Sequence, residues 1–147
     1  MAGPADRPCG DRGRYRGRPP VIVVDASAAV AAVLHNGAAR AALASNALHA
    51  PHLIDAEVTN ALRRRVLAGA LHDDEGHRAV VRWRALAVTR YVIAPLLERV
   101  WELRHSMTAY DATYIALAEH LGCAVVTLDG PLSRAHGPRC PLTILPT

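Results

Sequence analysis

The sequence predicts an α/β domain, a three-layer α/β/α sandwich in which helices cover both faces of a central, mostly parallel sheet. Three observations point there. Residues 21–25, V-I-V-V-D, form an apolar β-branched run without polar alternation, as expected of a strand covered on both faces. From there onward, short runs of this kind alternate with stretches of helical period, the order that builds a parallel sheet between helices. The 147-residue length allows one such domain with one sizeable core. Ala, Val and Leu must fill that core, because hydrophobic residues make up 51% of the chain while Phe is absent and aromatics are only 4%. Such small side chains favour close helix–sheet layers.

Taken in order, residues 1–20 carry Gly, Pro and five arginines with almost nothing to bury, and are expected to form a disordered arm ahead of a single folded unit, residues 21–147. Arginines interleaved with Tyr15 and glycine suit either a nucleic-acid tether or a solvated tail. After the first strand come helices over Ala26–His35 and Gly37–Ala47, then a short strand, Leu48–Pro51. A longer helix, Leu53–Ala68, is stopped by Gly69, and another over Asp73–Ala87 begins with an acidic first turn that suits the helix dipole. A strand is expected at Tyr91–Ala94 and a helix at Leu96–His105. The stretch Met107–Gly130 reads as helix, tight turn at Gly122, buried strand Cys123–Val126 and a closing turn. Leu142–Leu145 supplies the last strand.

Composition excludes several classes. No apolar run reaches the roughly 18 residues of a membrane span, and the amino-terminal arginines lack an apolar signal segment, so a cytoplasmic protein without membrane association is expected. Three cysteines without C-x-x-C spacing do not make a disulfide framework, and Cys123 reads as a small core residue. Residues 1–20 hold five Arg against Asp6 and Asp11, which leaves the remainder nearly neutral, with 12 basic and 11 acidic residues. All 17 basic residues are arginine. The absence of lysine excludes phosphoaspartate receivers, haloacid-dehalogenase-like phosphatases and a P-loop, all of which need one. His49 and His52, beside a proline, have no zinc-site spacing.

Four carboxylates stand out. Asp25 follows the first strand, Glu57 lies one turn into the long helix, Asp111 heads a helix, and Asp129 follows the fourth strand. Singly, each has a structural role open to it. Asp25 or Ser27 can cap the next helix, Asp111 stands three after Thr108 as in a capping box, and Asp129-Gly130 is a turn pair. Asp111 nevertheless shares a helix face with Ile115 and Ala118, and Glu57 borders an apolar stripe with no opposite charge one turn away, only Asn60 beside it. If the first and fourth strands are neighbours, Asp25 and Asp129 leave the same carboxyl-end edge and Asp111 reaches it from the adjoining helix start. Carboxylates gathered there repel one another unless a cation neutralises them, and Mg²⁺ or Mn²⁺ are the hard ions that oxygen ligands select. The implied chemistry is hydrolysis of a nucleic-acid backbone.

The strings V-V-D-A-S-A at 23–28, P-x-L-x-x-E-V-x-N-A-L at 51–62, Y-D-A-x-Y-x-A-L-A at 110–118 and V-T-L-D-G-P-L-S-R-A at 126–135 resemble, in this order, the PIN-domain nucleases, and among them the VapC-type toxins of bacterial toxin–antitoxin pairs. The resemblance implies that Asp25, Glu57, Asp111 and Asp129 are the acidic Mg²⁺ or Mn²⁺ ligands, with Ser27, Asn60 and Thr127 as supporting polar groups. It further implies a metal-dependent endoribonuclease acting on RNA, restrained by a cognate antitoxin, and commonly a homodimer. The arm lies outside the pattern, and Gly130-Pro131 adds no acid after Asp129, so one firmly held ion is expected. Two other readings stay open: a catalytically silent PIN-like binding module, and a housekeeping RNA-processing nuclease with no antitoxin. Arg63, Arg64, Arg65, Arg82 and Arg84 either line an RNA path or form the wet faces of two helices.

Overall fold

The structure is a computed structural model that describes residues 17–146. The greater part of the expected arm, residues 1–16, lies outside the described residues, as does Cys9. Among the described residues five strands form one sheet: β1 (Val21–Val24), β2 (Ala47–Pro51), β3 (Val88–Tyr91), β4 (Ala124–Thr127) and β5 (Leu142–Ile144), in the order β3-β2-β1-β4-β5. Every pairing is parallel, so the sheet expected to be mostly parallel is parallel throughout.

Among the described residues six α-helices cover the sheet: α1 (Ala26–Leu34), α2 (Ala38–Ser45), α3 (Leu53–Leu67), α4 (Asp73–Ala85), α5 (Leu97–Glu102) and α6 (Ala109–Leu121). The first four pack on one another, while α5 packs on α6 and α6 lies against β1, β2 and β4. Between the layers sit Val23, Val24, Ile54, Val58, Leu62, Ile115, Leu117 and Val125, all essentially inaccessible to water. Seven consecutive α6 residues, Ala112–Ala118, are buried, which explains why this stretch is apolar nearly all round. Gly122 ends α6 in the left-handed conformation, at φ 65°, and so turns the chain directly into β4. No helix among the described residues is long and apolar enough to cross a membrane.

Several boundaries differ from expectation. The strand expected at Tyr91–Ala94 is β3, Val88–Tyr91, and residues 94–96 form a 3-10 turn with Pro95 in its first turn. Proline lacks the N–H that a strand there would need, whereas the polar Thr89 and Arg90 pair with β2. α2 stops at Ser45 rather than Ala47, because the Ala47 N–H joins the sheet edge by donating to the Pro20 carbonyl at 2.8 Å. α5 is shorter than Leu96–His105, and Pro131–Arg134 adds an unexpected 3-10 turn. Cys123 and Cys140 are free thiols, half-buried and packed against the core.

The strand order locates the chemistry. Chain crossings from β1 and β4 diverge to opposite sides, which makes the carboxyl ends of these two adjacent strands the switch point of the sheet. The N-termini of α1 and α3 start at that edge because each follows a strand. α6 starts there too, since its far end leads into the beginning of β4. Their dipoles point positive ends at the edge, a favourable field for acidic groups.

Candidate active site

Asp25 is the residue directly after β1 and the N-cap of α1. Its carboxylate is 8% exposed and accepts the Ala28 N–H at 2.9 Å and the Ser27 hydroxyl at 2.7 Å on Oδ1, with the Thr127 hydroxyl on Oδ2. The capping role open to it is therefore real, and it accounts for one of these bonds. Burial pushes the carboxyl pKa above its usual range; the three hydrogen bonds oppose the shift and the charge of Asp129 adds to it.

Asp129 stands two residues beyond β4 and donates its own N–H to the Thr127 hydroxyl at 2.8 Å. Asp111 lies in the first turn of α6. Half of the expected capping box is present there: Thr108 accepts the Asp111 N–H at 3.2 Å, but the Asp111 carboxylate takes the Thr108 hydroxyl, at 2.7 Å, in place of the backbone N–H.

Glu57, in the second turn of α3, meets the one functional group that sequence reasoning missed. The Tyr114 hydroxyl, from α6, donates to Glu57 Oε2. Tyr114 is 2% exposed. Burial first, and then the hydrogen bond to Glu57 and its charge, push the phenol pKa upward, so it stays a donor. Glu57 itself is raised chiefly by burial, with further repulsion from Asp111 and Asp25. The signal for Tyr114 was its place in Y-D-A-x-Y, yet at helical spacing a tyrosine among alanines reads as core.

Thr127 bonds both Asp25 and the Asp129 N–H, and Tyr114 bonds Glu57 one turn along α6 from Asp111, so the fold brings the four expected acids to one edge of the sheet. They do not close into a cage: among the described residues, no three His, Cys, Asp or Glu side chains reach metal-ligating geometry. Each of Asp25, Glu57 and Asp111 instead leans on a hydroxyl. None of the four forms an ion pair among the described residues, where the paired acids are Asp55, Glu102 and Glu119. Hydroxyl donors orient a carboxylate without neutralising it. The set has no cation of its own among the described residues and offers only oxygen donors, which suits a hard divalent cation.

Beside the acids runs a groove of about 1400 Å³ between α1, α2 and α3. Ser27, Glu57 and Leu128 line it near the sheet edge, and Asn60, Arg64 and Arg65 line it further along α3. The expected supporting residues are thus divided: Ser27 and Thr127 hold Asp25, whereas Asn60 is exposed and faces the groove.

The sequence model of the PIN domain matches residues 22–137. A VapC ribonuclease of Mycobacterium bovis and Ribonuclease VapC9 of Mycobacterium tuberculosis are each 51% identical over 126 residues, covering 86% of this chain and 99% of the relative. Ribonuclease VapC12 of Mycobacterium tuberculosis is 40% identical over 120 residues, covering 80% of this chain and 93% of its own. The crystal structure of Mycobacterium tuberculosis VapC20, described as a sarcin-ricin loop cleaving toxin, superposes with a TM-score of 0.58 at 27% identity, covering 76% of this chain and 92% of that one. A Pyrobaculum aerophilum protein shares the fold, with a TM-score of 0.63 at 23% identity and coverage of 90% and 91%.

Proposed function

The chain belongs to the PIN-domain family and to its VapC-type branch, and from that premise we propose that it is an endoribonuclease toxin that hydrolyses RNA phosphodiester bonds under the control of a cognate antitoxin. The observation that supports the reading is the gathering of four carboxylates at the sheet's switch point, held by hydroxyls and unpaired with any cation among the described residues.

In this reading Asp25, Glu57, Asp111 and Asp129 hold one Mg²⁺ or Mn²⁺ ion. Bound there, the ion supplies positive charge for the phosphodiester and a more acidic water as nucleophile. The protein's own part is positional. Ser27 and Thr127 fix both oxygens of Asp25, Tyr114 fixes Glu57, and Thr108 fixes Asp111. Asn60 lies on the groove wall, where it can reach substrate.

We assign residues 21–147 to the nuclease unit and treat residues 1–20 as an appended arm. An antitoxin segment laid in the groove would block access to the acids. A homodimer is part of the proposal, supported by the exposed pair Leu97 and Trp101, one turn apart on α5. The site of action is the cytoplasm, where RNA and antitoxin are both present.

The test is incubation of the purified protein with single-stranded RNA, with and without Mn²⁺, alongside Asp25→Asn and Asp111→Asn. Cleavage that needs Mn²⁺ and is lost in both variants is expected. Cleavage that is independent of metal, or that survives both substitutions, refutes the assignment, and a binding module would bind RNA without cutting it.

A further inference from the structure

We propose that Arg64 and Arg65 form a phosphate-binding subsite that holds the RNA strand on one side of the bond being cleaved. The inference rests on the nuclease reading above and adds the direction in which the strand leaves the carboxylates.

α3 turns Glu57, Asn60 and Arg64 toward the groove at intervals of three and four residues, which places them on one helix face. At 1.5 Å rise per residue, Arg64 lies about 10 Å along the axis from Glu57. An arginine that far along serves a neighbouring phosphate rather than the one at the acids. Apart from Glu57, no acidic residue among the described ones lines the groove, and its opposite wall brings His35, Asn36 and alanines. A strand anchored at the acidic centre therefore meets positive charge along α3 and no further repulsion.

A polyanion cannot be held by the carboxylates themselves, and residues 21–147 carry almost no net charge to attract one from a distance. Within residues 21–147, affinity must come from arginines that are locally free. Arg90 is held by Asp55, and Arg99 by Glu119 and Glu102. Arg82 donates to the Val33 carbonyl at 3.1 Å, Arg40 to the Ala32 carbonyl at 2.8 Å, and Arg104 to the Trp101 carbonyl at 3.0 Å. Arg64 and Arg65 make no side-chain hydrogen bond or ion pair among the described residues, and both line the groove. Arg63 shares the helix but faces another hollow, beside Thr59 and His77, and is the internal control.

The experiment measures binding of a labelled single-stranded RNA of mixed sequence to the full chain carrying Asp25→Asn, by fluorescence anisotropy across a salt series. Adding Arg64→Ala and Arg65→Ala is expected to weaken binding by about tenfold and to lower the slope of log affinity on log salt by about 1.4, close to 0.7 per arginine. Arg63→Ala on the same background is expected to leave both unchanged. In the cleavage-competent chain, the double arginine variant is expected to raise KM at unchanged kcat, with an unaltered melting temperature. A double variant that binds RNA like its parent, including one that loses only its grip on an acidic protein partner, overturns the subsite while leaving the nuclease reading intact. A parent chain that neither binds nor cuts RNA overturns both.

Discussion

The hydroxyl oxygens of Ser27 and Thr127 lie 3.2 Å apart, yet each directs its proton to a different oxygen of Asp25. A hydroxyl has one proton to give, so neither bonds the other as donor. Each oxygen instead accepts a backbone N–H from the exit of β4, Leu128 at 2.9 Å for Ser27 and Asp129 at 2.8 Å for Thr127. Donors placed in series polarise one another, and here they run from the end of β4 to the carboxylate at the end of β1. The segment that carries Asp129 is therefore fixed by the same bonds that orient Asp25.

Thr127→Val keeps the side-chain shape and removes both of its bonds. Asp25 Oδ2 and the Asp129 N–H lose their partners at a position with 0% exposure. Urea unfolding is expected to show a loss of about 1–3 kcal/mol, and RNA cleavage a loss of roughly 10–100-fold, the range seen when groups that orient metal ligands are removed. Ser27→Ala, on the less buried side, is expected to cost less. Because both hydroxyls clamp one carboxylate, the double variant should deviate from the sum of the singles. Additive singles with near-native unfolding and cleavage would show the clamp to be incidental.

The clamp also marks what was legible in the sequence. Asp25, Ser27, Thr127 and Asp129 could be read because each sits at or just past the end of an apolar run, and such runs become neighbouring strands in this fold class. β3 could not, because V-T-R-Y is polar and its Arg90 is stabilised by Asp55, 35 residues earlier. The stronger local β-run, Tyr91–Ala94, drew the expected strand three residues too far along. Tyr114 was hidden for a related reason: a buried polar tip on an apolar helix shows itself only once the facing helix supplies Glu57. That the acids rest on hydroxyls rather than forming a closed cage is a property of three-dimensional contacts, and no spacing encodes it.

Glu57→Gln is expected to stabilise the metal-free protein at neutral pH. Gln keeps an oxygen for the Tyr114 hydroxyl while removing repulsion with Asp111 and Asp25. The sign follows from the raised pKa: the folded protein favours protonated Glu57, so stability is full below the ordinary value of 4.5 and is lost as pH rises through the higher folded value. A melting temperature followed from pH 4 to pH 8 should fall less in Glu57→Gln than in the parent. Mn²⁺ should reverse the ranking. At a concentration of 100 Kd, an ion that binds only the folded state adds about 2.7 kcal/mol to the parent, and the variant gains less. A variant no more stable than the parent without metal, or one stabilised equally by Mn²⁺, would remove Glu57 from the site.

Tyr114→Phe leaves the ring in the core and frees Glu57 to swing. Tyr114 is buried, lies off the groove and bonds Glu57, so Mn²⁺ affinity is the readout that separates a positioning role from a structural one. Calorimetric titration should show weakening of about tenfold or more, whereas unfolding should change by only about 1 kcal/mol, the ordinary worth of one hydrogen bond. Unchanged Mn²⁺ affinity alongside a lowered melting temperature would reduce the tyrosine to a structural part.

Asp55 supplies the contrasting case, an acid two residues from Glu57 that is fully engaged in holding the fold. It accepts Trp83 Nε1 at 2.8 Å, Arg90 Nε at 2.7 Å and Arg90 Nη2 at 2.9 Å, and so ties the start of α3 to α4 and β3. The Arg90 hydrogen bonds hold its carboxyl below the usual carboxylate range. The linkage therefore has the opposite sign from Glu57: the stability it contributes is present above the ordinary value of 3.8 and is lost as pH falls through the lower folded value. Its side chain is 44% exposed, so solvent screening limits the contribution of the pair, and Asp55→Asn is expected to cost about 1 kcal/mol at pH 7. The gap in melting temperature between parent and variant should narrow as the pH is lowered below 3.8. Fluorescence of Trp83, 3% exposed and bonded to the same carboxylate, follows the transition directly. Mn²⁺ affinity and cleavage at 25 °C should be unchanged, since Asp55 is turned to Arg90 and Trp83 and does not line the groove. A gap that stays constant down to pH 3 would mean that the ion pair contributes nothing, and a loss of Mn²⁺ binding would mean that Asp55 serves ion binding as well as the fold.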